Sequence, residues 1–292
     1  MIKIKLHRLF LIIPLCALTL ICLFFVLIPF TVSIYAIKSA NSEVGATPPN
    51  AKQVSFVTED NIKLQGWYVL PQNGKVIILV HGSGNSRENM RPYIEFLTEH
   101  EYGVLAFDMR GHGESEGKTN RFGWESDKDI KAAVNFLKDK EVSGIGALGL
   151  SLGAESLLAS AKDNPDIKSI VAEGATYRSY NEFLDYPRGN GFLNKVSSTY
   201  VVDKFVQLLS SQTPPEVTIT DSLRQSQTNF FFISAKKERE EIRYNQFFQK
   251  TTQKDSYLWE IDCKHTKGLS TNPDEYKQKV LDFFEQSLMI ES

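Results

Sequence analysis

Four segments constrain the fold of this chain more than any other feature: KVIILV (Lys75 to Val80), GVLAFD (Gly103 to Asp108), GIGALGL (Gly144 to Leu150) and IKSIVAE (Ile167 to Glu173). Each is a continuous apolar run without alternation, the pattern of a strand buried on both faces. Between them lie stretches of helical spacing: Arg91 to His100, Ser126 to Lys138 with Ile130, Ala133, Val134 and Leu137 on one face, and Leu152 to Lys162. Strand and helix in alternation predict an α/β fold, a mostly parallel central β-sheet flanked by helices and joined by right-handed crossovers. Val54 to Val57 and Leu64 to Leu70, separated by Glu59-Asp60-Asn61, read as an antiparallel hairpin that starts the sheet. NFFFISA (Asn229 to Ala235) and SYLWEI (Ser256 to Ile261) add two strands with a helix between them, and an amphipathic helix from Pro273 to about Met289 closes the chain. The stretch 177–221 breaks the alternation and reads as a small inserted cap.

Ahead of this unit, Leu9 to Ile37 contains no charged side chain. The run exceeds the roughly 20 residues needed to cross a bilayer core. A cleaved signal peptide would carry an apolar core of about 7–15 residues ending at small residues, whereas Ile34 occupies the −3 position before Ala36. The segment is therefore expected to stay as an anchor. Lys3, Lys5, His7 and Arg8 precede it and only Lys38 follows closely, a bias that keeps the N-terminus cytosolic and turns the remainder outward from a single-pass span in the cell membrane. The expected organisation is a flank over 1–8, a transmembrane anchor over 9–37, a linker over 38–53 and one α/β domain over 54–290.

The 292 residues carry a formal net charge of −2 with both signs dispersed, so no basic surface for nucleic acid is expected. Cys16 and Cys22 lie in the apolar segment and only Cys263 outside it, which leaves no pair for a disulfide within the domain. No zinc-ligand spacing is present, and no metal or cofactor is called for.

Chemistry enters at Gly149-Leu150-Ser151-Leu152-Gly153, a G-x-S-x-G placed between a strand and a helix. Such a turn strains the serine backbone and leaves its hydroxyl exposed, so Ser151 is the candidate nucleophile. The backbone N–H of Leu152, at the helix N-terminus, is one candidate oxyanion donor. The loop His81-Gly82-Ser83-Gly84-Asn85-Ser86 follows the third strand, where a second donor belongs, and the N–H of Ser83 is the choice there.

HGSGNS, FDMRGHGES (Phe107 to Ser115) and GLSLGA (Gly149 to Ala154), in that order, resemble the α/β-hydrolase superfamily. Within it the chain is similar to bacterial membrane-anchored hydrolases near the serine aminopeptidase and dienelactone hydrolase-like groups. The resemblance implies that Asp108, Arg110 and His112 form a structural turn. The general base is expected after the last strand, and His265 stands there, in Cys263-Lys264-His265-Thr266, with Cys263 a bystander. The family's acid is usually an aspartate after the preceding strand; here that place reads Lys236-Lys237-Glu238-Arg239-Glu240-Glu241-Ile242. Aligning Ile242 with the family's apolar position makes Glu240 the acid, with Glu241 and Glu238 as alternatives.

The implied activity is acyl transfer from an ester, thioester or amide by a Ser-His-acid triad, with carboxylesterase as the working label and peptidase or lipase as alternatives on the same fold. A membrane-tethered binding protein that has lost its acid is the alternative outside catalysis. Tyr177, Tyr180, Phe183, Tyr186, Phe192 and Tyr200 in the cap either shape an apolar pocket for a small or lipid-like acyl substrate or simply form the cap's own core.

Overall fold

The computed structural model describes residues 2–118, 121–186, 198–254 and 256–288. Its centre is an eight-stranded sheet. In chain order the strands are β1 (Ala51–Val57), β2 (Lys63–Val69), β3 (Lys75–Val80), β4 (Gly103–Phe107), β5 (Gly144–Leu150), β6 (Ile167–Glu173), β7 (Asn229–Ala235) and β8 (Ser256–Ile261). They lie side by side as β8-β7-β6-β5-β3-β4-β2-β1. β1 pairs with β2 and β2 with β4 antiparallel; every other neighbour is parallel. The continuous apolar runs sit where two-sided burial demands them: in β3 every residue from Val76 to Val80 is sealed from solvent. At roughly 1.5–3 kcal/mol for each large aliphatic side chain, these runs are the main favourable term holding the sheet.

The flanking helices follow the predicted spacing. α3 (Arg91–Thr98) packs against one face, and α4 (Ser126–Lys138) and α5 (Leu152–Ser160) against the other. α4 buries Ile130, Ala133, Val134 and Leu137, the stripe that its sequence spacing singles out. α9 (Arg239–Thr251) joins β7 to β8, and α10 (Gly268–Thr271) and α11 (Pro273–Ser287) end the described chain. Between the parallel neighbours β6 and β7 the described chain forms α6 (Tyr180–Asp185), α7 (Ser198–Ser210) and α8 (Ile219–Gln225). Phe192 lies outside the described residues.

The N-terminal helix runs as α1 (Ile2–Cys22), a π-helical stretch over Leu23–Leu27, and α2 (Ile28–Ala36). Its stretch Ile12–Ala36 is long and apolar enough to cross a membrane. Pro29 directly follows the π-helical stretch and, lacking an N–H, cannot carry on that stretch's hydrogen-bond ladder.

The segment 38–53, expected as a linker, is docked against the domain as a strap. Ala40 and Asn41 pair in parallel with His112 and Gly113. The Gly45 N–H donates to Glu88, Arg91 donates to the Ala46 carbonyl, and β1 already begins at Ala51. The reason is local: the turn after β4 exposes backbone groups that a passing extended segment can satisfy.

Candidate active site

The elbow is built by three residues. Ser151 has φ 51° and ψ −116°, a strained conformation for a residue with a side chain. It is held there by its N–H donating to the Glu173 carbonyl (2.8 Å) and by its own carbonyl accepting from Glu155 N at the start of α5 (2.9 Å). On either side, no side chain fits: a Cβ on Gly153 would overlap the Val80 carbonyl oxygen, and one on Gly149 would come within 2.5 Å of the Ala154 nitrogen. The glycines of the motif are required by the approach of α5 to β3 and β5.

Two buried histidines shape the loop over the elbow. His81 Nδ1–H donates to the Gly82 carbonyl (2.8 Å) while Nε2 accepts from Met109 N (3.1 Å). His112 Nδ1–H donates to the Arg110 carbonyl (3.0 Å) while Nε2 accepts from Gly84 N (3.2 Å). Each ring thus gives one bond and takes one, which only the neutral imidazole can do, and burial pushes both pKa values down to about 4. His112 is committed to the loop. The loop they fix brings Gly82 against Ser151: a Cβ on Gly82 would lie 3.5 Å from Ser151 Cβ. Ser83 follows it directly. Leu152 is the first residue of α5, so its N–H has no acceptor within the helix.

Asp108 and Arg110 anchor the same turn from beneath. Asp108 accepts from the backbone of Arg87 and of Glu114 and forms a buried ion pair with Arg87. Arg110 is shared between buried Asp129 (2.8 Å) and Asp60 (2.9 Å). Burial raises the Asp129 pKa to about 6 in spite of this partner.

Ser151 Oγ donates to His265 Nε2 at 2.9 Å, and His265 Nδ1–H donates to Glu241 Oε2 at 2.8 Å. The carboxylate behind the histidine is that of Glu241, not of Glu240. Glu240 is 52% exposed and pairs with Arg243 on the outside of α9. Helix phase decides between the two: Glu241, Tyr244, Asn245 and Phe248 share the buried face of α9, at the i, i+3, i+4 and i+7 positions of one stripe. Glu241 is 2% exposed and its second oxygen accepts from Ala235 N (2.6 Å), which fixes the carboxylate to the end of β7. The hydrogen bond to Glu241 raises the His265 pKa above 6.5.

Two further carboxylates at this end of the sheet escaped the sequence reading. Glu173 ends β6 fully buried; it accepts from Gly268 N (2.9 Å) and from the Tyr276 hydroxyl (2.7 Å), tying the histidine loop and α11 to the sheet. The sequence signal was a carboxylate closing the apolar run Ile170-Val171-Ala172 of a parallel strand. Glu155, one turn into α5, accepts from the backbone and hydroxyl of Thr176 (2.9 and 2.8 Å), and burial raises its pKa to about 7. Cys263 is buried with its thiol pKa raised by that burial, the opposite of an activated thiol.

The aromatic residues 177–186 are engaged in packing. Tyr177 and Tyr186 lie against Tyr244, Tyr186 against Phe247, Tyr177 against Phe183, and Tyr180 against Tyr200.

Residues 71–258 match the family model described as serine aminopeptidase, S33. The chain belongs to this family. The family is part of the α/β-hydrolase superfamily. This serine aminopeptidase S33 family chain is 28% identical over 191 residues to the YfhR protein of Salmonella typhi, an alignment covering 58% of this chain and 64% of that relative. It thus spans slightly less than two thirds of that relative's length. Among solved structures, the Pyrococcus furiosus esterase Pf2001 superposes with a TM-score of 0.69 at 26% identity, over 87% of this chain and 99% of the esterase. A dienelactone hydrolase from Anabaena variabilis shares the fold, with a TM-score of 0.57 at 17% identity over 82% of this chain and 100% of its own.

Proposed function

We propose that this protein is a serine hydrolase that cleaves carboxylic esters by acyl transfer, with Ser151 as nucleophile, His265 as general base and Glu241 as the acid. One observation carries the reading: the unbroken hydrogen-bonded chain from Glu241 through His265 to a serine strained in an elbow. His265 takes the Ser151 proton as Oγ attacks the carbonyl carbon; Glu241 holds the imidazole in the required tautomer and stabilises its charged form. The backbone amides of Leu152 and Ser83 receive the developing oxyanion. His265 then protonates the leaving alcohol, and water, activated by the same imidazole, releases the acid. The hydrogen bond between Glu241 and His265 Nδ1 favours this reading over that of a binding protein without an acid. The apolar stretch Ile12–Ala36 is read as an anchor in the cell membrane, with the N-terminal basic flank cytosolic and the hydrolase on the outer side.

A fluorophosphonate probe tests the nucleophile. Wild-type protein is expected to label covalently and Ser151→Ala to stay unlabelled; a wild type that resists labelling while folded would defeat the assignment.

The rate should also depend on pH in a stated direction. Protonated His265 cannot accept the serine proton, and its pKa is raised by Glu241. kcat/KM for an uncharged ester is therefore expected to be low in acid and to climb through a midpoint above 6.5. A midpoint well below 6.5 would contradict the Glu241 contact.

A further inference from the structure

The apolar N-terminal helix does not stand apart from the hydrolase. α7 runs antiparallel along α2: the Ser33 hydroxyl reaches the Val202 carbonyl (3.2 Å), and Phe30 meets Phe205 edge to face (ring centroids 5.4 Å apart). Ala36, Trp124, Val202 and Val206 form a small buried core between them. The pairing continues until α7 touches the π-helical stretch Leu23–Leu27. Three residues beyond Phe205 stands Leu208, 75% exposed, followed by Leu209, also exposed.

The depth of these residues follows from lengths. The 25 residues Ile12–Ala36 rise about 37 Å, more than the roughly 30 Å of hydrocarbon they must cross. The surplus lies at the α2 end, where the insertion clasps the helix, while α1 continues the apolar run toward the basic flank. Where α2 is clasped, the side chains are those of a headgroup layer. The Arg121 guanidinium lies 4.2 Å from the Tyr35 ring centroid, and Lys204 Nζ lies 5.4 Å from that of Tyr200. Aromatic rings with basic partners mark the membrane–water interface. Leu208 and Leu209, further along α7, then reach the hydrocarbon boundary, which explains why two leucines are left bare at the end of an otherwise amphipathic helix.

The same layer borders the catalytic loop. The Arg121 N–H donates to the Ala36 carbonyl at the end of α2 (2.8 Å), and a Cβ on Gly84 would lie 2.7 Å from Arg121 Nη1. One residue thus links the end of the span, through its backbone N–H and the Tyr35 ring, to the loop that covers Ser151, through its guanidinium.

We infer that α7 rests in the lipid interface beside the protein's own anchor, and that the site takes ester-linked lipids from the adjoining leaflet. This rests on the acyl-transfer and anchor readings above. An ester held in a leaflet lies near the level of its carbonyls, just outside the hydrocarbon, which is the level of Tyr35, Arg121 and the loop. Its acyl chain stays in the bilayer until the bond is cleaved.

The full-length protein in phosphatidylcholine vesicles provides the test, using 4-methylumbelliferyl palmitate held in the bilayer and 4-methylumbelliferyl butyrate in water. The double variant Leu208→Ser, Leu209→Ser is expected to lower palmitate turnover about tenfold and to leave butyrate turnover within twofold. Leu208→Trp is expected to add a fluorescence component that brominated phosphatidylcholine quenches beyond the wild-type background. An unquenched tryptophan, an unchanged palmitate-to-butyrate ratio, or a parallel loss of both activities would overturn the inference. A wild type that hydrolyses neither ester and resists fluorophosphonate sinks the acyl-transfer reading instead, and the quenching then still decides whether α7 meets lipid.

Discussion

Glu241→Gln is expected to lower kcat/KM for a soluble ester by about 10³- to 10⁴-fold, with Glu240→Gln within about twofold of wild type. The amide is nearly isosteric, so Ala235 N and the α9 packing are disturbed little. What changes is the partner of His265 Nδ1. A glutamine can present its NH₂ there, favouring the tautomer whose Nε2 carries the proton and cannot accept from Ser151. Even when it presents its oxygen it lacks the charge that stabilises the imidazolium. The acidic limb of any residual activity should also move to lower pH, because the contact that raises the His265 pKa has gone. Glu240 is spent on an exposed pair with Arg243, worth at most about 1 kcal/mol and remote in function. Steady-state kinetics on the two variants in detergent decide the matter: equal effects, or a larger one at Glu240, would return the acid to the exposed face of α9.

The second large effect is on stability. Gly153→Ala is expected to destabilise the protein by about 3–5 kcal/mol, because its methyl must occupy space already held by the backbone carbonyls of Val80 and His81. Side chains can rotate away from a clash, but here the obstacle is main chain at the end of β3, in the centre of the sheet. Relief requires α5 to move off the strands that it covers. A loss of this size corresponds to a fall in Tm of about 6–20 °C for a domain of this size, to be read by circular dichroism of the full-length protein in detergent. An unchanged Tm would show that α5 lies further from β3 than the geometry here requires.

These two residues mark the division between what was legible in the sequence and what was not. Gly153 belongs to a motif that is recognisable locally, a strand, a tight turn and a helix within a dozen residues, although the clash that this glycine avoids is with β3, distant in the chain. The same holds for the apolar runs of β3 to β7, whose burial on both faces is written into their composition. His265 was found by chain order, since the last strand of such a sheet delivers its following loop to the same edge as the elbow.

Glu241 required more. Three glutamates stand within four residues, all chemically able to orient an imidazole, and choosing among them depends on how α9 is rotated against the sheet. The stripe Glu241, Tyr244, Asn245, Phe248 was available as a helical periodicity, yet alignment on the neighbouring Ile242 pointed one residue too early. One residue on a helix is about 100° of rotation, enough to carry a carboxylate from the buried face to solvent. Glu173 and Glu155 were hidden for a related reason, because their partners Tyr276 and Thr176 come from elements distant in the chain.

The N-terminal segment divides in the same way. Its length and lack of charge were sufficient to make it a candidate span. Only the tertiary structure joined it to α7 and, through Arg121, to the loop over Ser151, because contacts between residues 33 and 202 or 36 and 121 leave no trace in local pattern. The sequence by itself thus determined the sheet, the elbow, Ser151 and His265, all set by short-range sterics, two-sided burial and strand order. The tertiary structure decided which carboxylate meets His265 and the placing of the loop over Ser151 beside the apolar helix, since both depend on how separate elements are turned toward one another when they pack.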